Sequence, residues 1–234
     1  MDTKPQKRTV KTKSAKGEQA RNNLKQAALL VLERVGYHKM RISDVTAEAG
    51  VAPGLFYHYF SDLKSLTIEV LGDFVANSQN LATIEKDVPK GDWYARIYAH
   101  NIFVVKTYAA KPGVMRSLFQ LADTDPEFAR MLKASFIDQL NWLVSVMPRL
   151  FPEAAMTEHQ ALMVVYTLAS SGEVVLRDYF IDKDPLLTRE TLSVEEIAEL
   201  LTVIFYRGLF LENPAVEKLR YAKHVVNMQR TQAL

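Results

Sequence analysis

Residues 42–60 read ISDVTAEAGVAPGLFYHYF, and the spacing predicts a short helix, a tight turn and a second short helix. Ile42, Val45 and Ala49 recur at i, i+3 and i+7, so one face of the first helix can pack inward while Asp44, Thr46 and Glu48 stay in solvent. Gly50 stands where that helix must end; without a Cβ it can take the left-handed conformation that turns the chain. Pro53 suits the first turn of the next helix, where its missing N–H has no partner to lose and its φ is already set. The pair has the form of a helix-turn-helix whose second helix can enter a DNA groove.

Upstream, residues 1–16 lack an apolar period and are rich in Lys, Thr, Ser and Gln, the composition of a mobile arm. Residues 1–21 carry Lys4, Lys7, Arg8, Lys11, Lys13, Lys16 and Arg21 against Asp2 and Glu18. That local +5, in a chain of net +2, leaves about −3 for the rest and concentrates cations beside the candidate reader. From Gly17 to Val35, Leu24, Ala27, Ala28, Leu32 and Val35 follow helical spacing, and Gly36 ends the run.

Downstream, Ser61 is expected to cap a helix through Leu63, Leu66, Val70, Leu71 and Phe74 that extends to Ile84. Pro89-Lys90-Gly91 marks a loop. Further helices are predicted over 92–109, 112–121, 126–150, 157–181, 193–211 and 214–228, each opening near Pro, Ser, Thr or Asp. No strand alternation, internal repeat or Gly-rich phosphate loop is found. The expected fold is all-α: a basic arm (1–16), a helix-turn-helix domain (17–62) and a larger helical-bundle domain (63–234) for ligand binding and dimerisation.

Composition narrows the chemistry. With no cysteine, disulfides, thiolate metal sites and a cysteine nucleophile are excluded. No secretion signal or bilayer-length apolar run is found, so a cytoplasmic protein without membrane contact is expected. Histidines at 38, 58, 100, 159 and 224 include no i, i+4 pair, and Ser170-Ser171-Gly172 lacks a nucleophile elbow. No enzyme, metal or cofactor is expected.

Gly36-Tyr37, Asp44-Val45, Ala49-Gly50-Val51, Gly54-Leu55-Phe56-Tyr57-His58-Tyr59-Phe60 and Leu66 resemble the amino-terminal signature of the tetracycline-repressor-like (TetR) family, over about Glu18 to Leu71. The resemblance implies a twofold dimer that places two recognition helices in the major grooves of a near-palindromic double-stranded DNA operator. Carried over by position, it puts Ala52, Pro53, Gly54, Leu55, Tyr57 and His58 on the exposed part of that helix or at its start. Tyr57 and His58 are then phosphate contacts, Gly54 permits close backbone approach and Leu55 can touch a thymine methyl. Phe56, Tyr59 and Phe60 hold the helix to its neighbours; the alternative is that every aromatic of this run is core.

The sequence departs from the family pattern in one direction. Arg41, Ala52 and Leu55 stand where hydroxyl residues are common, and Leu63 where a Lys is frequent. Arg41, Lys64 and the arm are the expected compensating cations, acting through counterion release and, for the arm, the adjacent minor groove.

Helices around 158–180 and 194–210 are strongly apolar and, by the resemblance, form a four-helix interface between two copies. Glu173 and Arg177 share a face at i, i+4, an ion pair in one reading and a ligand contact in the other. Tyr98, Phe103, Phe119, Gln120, Trp142, Met163, Tyr166 and Glu173 fall where the family keeps its effector cavity and would suit a largely apolar small molecule; ordinary core is the alternative. The expected function is a ligand-responsive transcriptional regulator, a repressor released by its effector. A ligand-independent architectural or protein-interaction factor of the same fold is the alternative.

Overall fold

The computed structural model describes residues 15–77 and 81–228, and every regular element in them is helical. Helix α1 (Ala15–Val35) includes Ala15 and Lys16, which were expected to belong to the arm; the rest of that expected arm, residues 1–14, lies outside the described residues. Gly36, at φ 76°, reverses the chain into a single turn at Tyr37–Lys39, and α2 (Ile42–Glu48) and α3 (Pro53–Tyr59) follow. Gly50 has φ 65°, as the turn between them requires. Thr46, expected in solvent, is buried: it falls on the Ile42–Val45–Ala49 stripe, and its hydroxyl is satisfied by the Ile42 carbonyl at 3.0 Å.

Helix α4 (Leu63–Asn77) and the short α5 (Leu81–Ile84), which ends at the expected Ile84, lie on either side of residues 78–80, outside the described residues. The cap of α4 is Asp62 rather than Ser61. The Asp62 Oδ1 accepts from the Ser65 N–H at 2.7 Å, a geometry that Asp one position later reaches better than Ser61 can.

The larger part comprises α6 (Trp93–Ala110), α7 (Pro112–Thr124), α8 (Pro126–Leu150), α9 (Glu158–Leu176) and α10 (Val194–Phe210). Their starts follow local chemistry. Asp92 caps α6, while Thr157 with Gln160 and Ser193 with Glu196 form capping boxes for α9 and α10. Beyond α9 the chain continues through a wider, π-type turn at Arg177–Asp182 and leaves it through Lys183 in the left-handed region.

The helix expected over 214–228 is replaced by a turn at Val216–Lys218 and the short α11 (Lys223–Val226). Long-range bonding outcompetes a continuous helix there. Buried Glu199 of α10 accepts the N–H groups of Arg220, Tyr221 and Ala222 at 2.6–3.0 Å.

One apolar core joins the helix-turn-helix to the rest. Leu24, Ala28 and Leu32 of α1 meet Val45, Phe56, Leu66 and Leu71, and continue into Val114 and Leu121 of α7. Arg21 and Lys25 of α1 also clasp Glu69 of α4, and Lys25 reaches Asp73. Burial pushes the Glu69 carboxyl up, but the bonds from Arg21 and Lys25 outweigh it and hold the group below its ordinary range.

Candidate nucleic-acid interface and adjoining cavity

Helix α3 is held by two aromatic anchors. Phe56 is fully buried and Phe60 nearly so, their rings 5.9 Å apart, which fixes the opposite face outward. On that face Tyr57 is 62% exposed, and His58, Ala52, Pro53 and Gly54 are exposed with it. Leu55 is half-buried, and Tyr59 is half-buried with its ring edge-on to His58. A Cβ added at Gly54 would meet nothing within 4 Å, so the backbone is open to close approach. The helix therefore offers a phenol and an imidazole above a flat, nearly side-chain-free start.

The surrounding cations differ from expectation. Arg41 is exposed, closes the start of α2 through its own N–H to Asp44 Oδ2 at 3.0 Å, and forms no salt bridge among the described residues. Lys64, expected to be a compensating cation, instead places Nζ 2.7 Å from Asp125 Oδ2. That bond raises the ammonium's pKa and, with backbone N–H bonds, holds the Asp125 carboxyl below its ordinary range. Arg21, counted with the basic amino-terminal residues, is turned inward to Glu69 and lies over the Phe60 ring, 4.8 Å from its centroid.

Helix α7 connects this surface to a cavity. Its amino terminus is capped from another helix: Glu33 of α1 accepts the Val114 N–H at 2.9 Å, where a carboxylate also meets the positive end of the helix dipole. Gly113 lets the two backbones touch, since a Cβ there would lie 1.9 Å from the Glu33 carbonyl oxygen. One turn before the end of α7, Gln120 accepts the Tyr37 N–H at 2.9 Å, directly ahead of α2. Asp125, which takes the Lys64 bond from α4, also caps α8 by accepting the Glu127 and Phe128 N–H groups.

The other face of α7 presents Met115, Leu118, Phe119 and Ala122 to a cavity of about 410 Å³. Small-molecule sites span roughly 300–1,000 Å³. Phe74 and Val75 of α4 reach the same space, as do residues of α6, α8, α9 and α10. Of the predicted lining residues, Phe103, Phe119, Trp142, Tyr166 and Glu173 are there.

Three others are not. Tyr98 stacks on Tyr94 in the direction of α10, because the cavity stripe of α6 runs through Ile97, Asn101, Val104 and Tyr108, and one residue is a rotation of about 100°. Gln120 belongs to the Tyr37 link. Met163 lies on the outer face of α9, 52% exposed. The 97–101–104–108 spacing is the signal that identifies the missed lining residues.

The reading of Glu173 as an ion-pair partner is also corrected. Arg177 pairs with Asp182, Nε to Oδ2 3.4 Å, and its guanidinium lies over the Phe119 ring at 5.0 Å. Glu173 makes no salt bridge among the described residues and accepts one bond, from the Tyr108 hydroxyl at 3.3 Å. Burial pushes its carboxyl above the ordinary value, against the smaller opposing effects of that bond and of the Arg177 charge. The same burial, with the Glu173 charge, raises the Tyr108 phenol.

Residues 24–70 match the model of the family "Bacterial regulatory proteins, tetR family". The HTH-type transcriptional regulator BetI of Vibrio atlanticus (strain LGP32) is 35% identical over 77 residues, a match spanning 32% of this chain and 38% of BetI's length. Among solved structures, a TetR-family transcriptional regulator from Bordetella parapertussis 12822 superposes with a TM-score of 0.60 at 16% identity, over 85% of this chain and 100% of that one. Thermus thermophilus FadR, a TetR-family transcriptional repressor in complex with lauroyl-CoA, gives 0.54 at 14% identity, over 83% and 98%. Such distant structural likeness speaks for the fold, and the amino-terminal match for a helix-turn-helix domain of the tetR type. Over residues 24–70 the chain is thus similar to the tetR-family helix-turn-helix domain, and its helical fold is similar to that of solved TetR-family structures.

Proposed function

We propose that this protein is a ligand-responsive transcriptional repressor that binds a near-palindromic operator as a homodimer and is released by a small-molecule effector. The observation that carries this reading is the double role of α7, one face of which lines the cavity while the other is bonded to α1 and to the turn before α2. An occupant pressing on Met115 or Phe119 moves the helix that caps on Glu33 and holds Tyr37. Through Phe74 and Val75 it also reaches α4, whose Lys64 is tied to the α7–α8 junction.

The reading works by differential affinity. The effector prefers the arrangement in which two α3 helices are badly spaced for B-DNA, and linkage requires operator to weaken effector by the same factor. Dimerisation is supported by the unpartnered apolar faces of α9 and α10, where Met163, Val164, Val174 and Ile204 are exposed. The name of BetI as a transcriptional regulator, and the lauroyl-CoA complex of Thermus thermophilus FadR, support the functional class.

Selection of bound fragments from genomic DNA tests the proposal. Recovery of a site with two half-sites about one helical turn or a multiple apart is expected. Recovery of no fragment at low salt contradicts regulation at an operator. A site whose affinity ignores every cavity ligand favours a ligand-independent factor of the same fold.

A further inference from the structure

The charge balance of the cavity selects among ligands. Its walls are largely aromatic and aliphatic, with Phe103, Phe119, Phe136, Trp142 and Tyr166 contributing ring surface. Into this lining α9 sets one carboxyl group, Glu173, whose only hydrogen bond among the described residues comes from Tyr108. The nearest cation along the helix, Arg177, is taken by Asp182 and by the Phe119 ring. Of the basic side chains in the lining itself, His100 is bonded through Nε2 to Glu85 Oε1 at 2.8 Å, and Lys133 is exposed, with Nζ over the Tyr166 ring at 5.4 Å.

A carboxyl group in such a lining is costly unless a counter-charge arrives. A ligand cation supplies it, and aromatic faces add attraction for a positive centre. An anionic ligand would have to keep its head near Lys133 and drive its tail against Glu173. Burial favours the neutral carboxyl in the empty cavity, so an arriving cation would shift the group toward its ionised form.

We infer that the effector is an organic cation, an amine or quaternary ammonium on an apolar body, with Glu173 as its counter-ion. The inference rests on the reading of the cavity as an effector site and narrows it to one chemical class.

Three probes with the same saturated chain, decyltrimethylammonium, decanol and decanoate, separate charge from apolar burial when used below their micelle concentrations. Binding is read from the fluorescence of Trp142, which lines the cavity, and confirmed by calorimetry. The full chain should bind the ammonium about tenfold or more tighter than the alcohol, and Glu173→Gln should bring the two within about threefold while leaving decanol affinity unchanged. Unchanged decanol binding also shows that the variant is folded. Decanol or decanoate binding as tightly as the ammonium, or a preference that survives Glu173→Gln, overturns the inference and leaves the effector cavity standing. Failure of all three probes to bind overturns both.

Discussion

At the scale of single residues, burial divides the aromatics of α3 into two groups with opposite consequences. Replacing Tyr57 or His58 by Ala should weaken operator binding by about 1.5 kcal/mol, near tenfold, with the melting temperature almost unchanged. Phe56→Ala should instead cost about 3–5 kcal/mol of folding stability, because its side chain is fully buried. Parallel thermal melts and operator titrations check both, and loss of stability on removing Tyr57 would contradict the assignment.

Glu173 gives a pH signature. Its carboxyl is raised in the folded state above the ordinary 4.5, so the folded protein gains from it below that pH and loses the gain as pH rises through the folded value. Glu173→Gln should therefore melt higher than the parent at neutral pH, with the difference shrinking below about pH 4.5. Melting curves at several pH values check this; a gap that widens on acidification would show the opposite charge state. The outward face of α3 was legible in the sequence because Phe56 and Phe60 lie four apart. The isolation of Glu173 was not, since i, i+4 spacing permits a pair with Arg177 without requiring it, and Asp182 and Phe119 compete for the same guanidinium.

At the scale of elements, the proposed coupling between cavity and operator rests on α7. Gly113→Ala would drive a Cβ into the Glu33 backbone, so the α1–α7 contact must open. A stability loss of about 3 kcal/mol is expected, since overpacking typically costs 1–3 kcal/mol and rigid backbone yields less than a side chain. If the variant remains folded, effector binding should survive while release from operator is blunted. A fully stable Gly113→Ala protein with normal release would exclude α7 as the connector.

Glu199 is a second such element-level tie. Glu199→Ala orphans the N–H groups of Arg220, Tyr221 and Ala222 and should cost about 2–3 kcal/mol, with faster amide exchange in the 219–226 segment. Helix starts could be read from Asp92, Thr157 and Ser193 because caps are local. The bonds of Glu33, Gln120, Asp125 and Glu199 join residues far apart in the chain, so no spacing announces them. The same reason explains why 214–228 reads as a helix and is not one.

At the scale of the molecule, two faces remain for partners: the outward side of α3 and the apolar faces of α9 and α10. Met163→Glu combined with Val174→Glu places charge on exposed positions of the second face that lie outside the cavity lining, and should turn a dimer into a monomer at micromolar concentration, read by sedimentation, while the cavity still binds its ligand. An unaltered dimer would move the interface elsewhere. The all-helical fold of the described residues was legible from apolar periodicity, and the helix-turn-helix from residues 42–60. The assembly depends on surface that periodicity marks as apolar without saying what covers it.

The most direct test of the central claim, that paired α3 helices grip DNA through Tyr57 and His58, is an anisotropy titration of one selected genomic site against a scrambled duplex, over a range of salt. The parent protein should prefer the site strongly at every salt concentration, and the Tyr57→Ala/His58→Ala double variant should lose most of its affinity while remaining a folded dimer. Equal binding of both duplexes by the parent, or an undiminished site affinity in the double variant, would contradict the account.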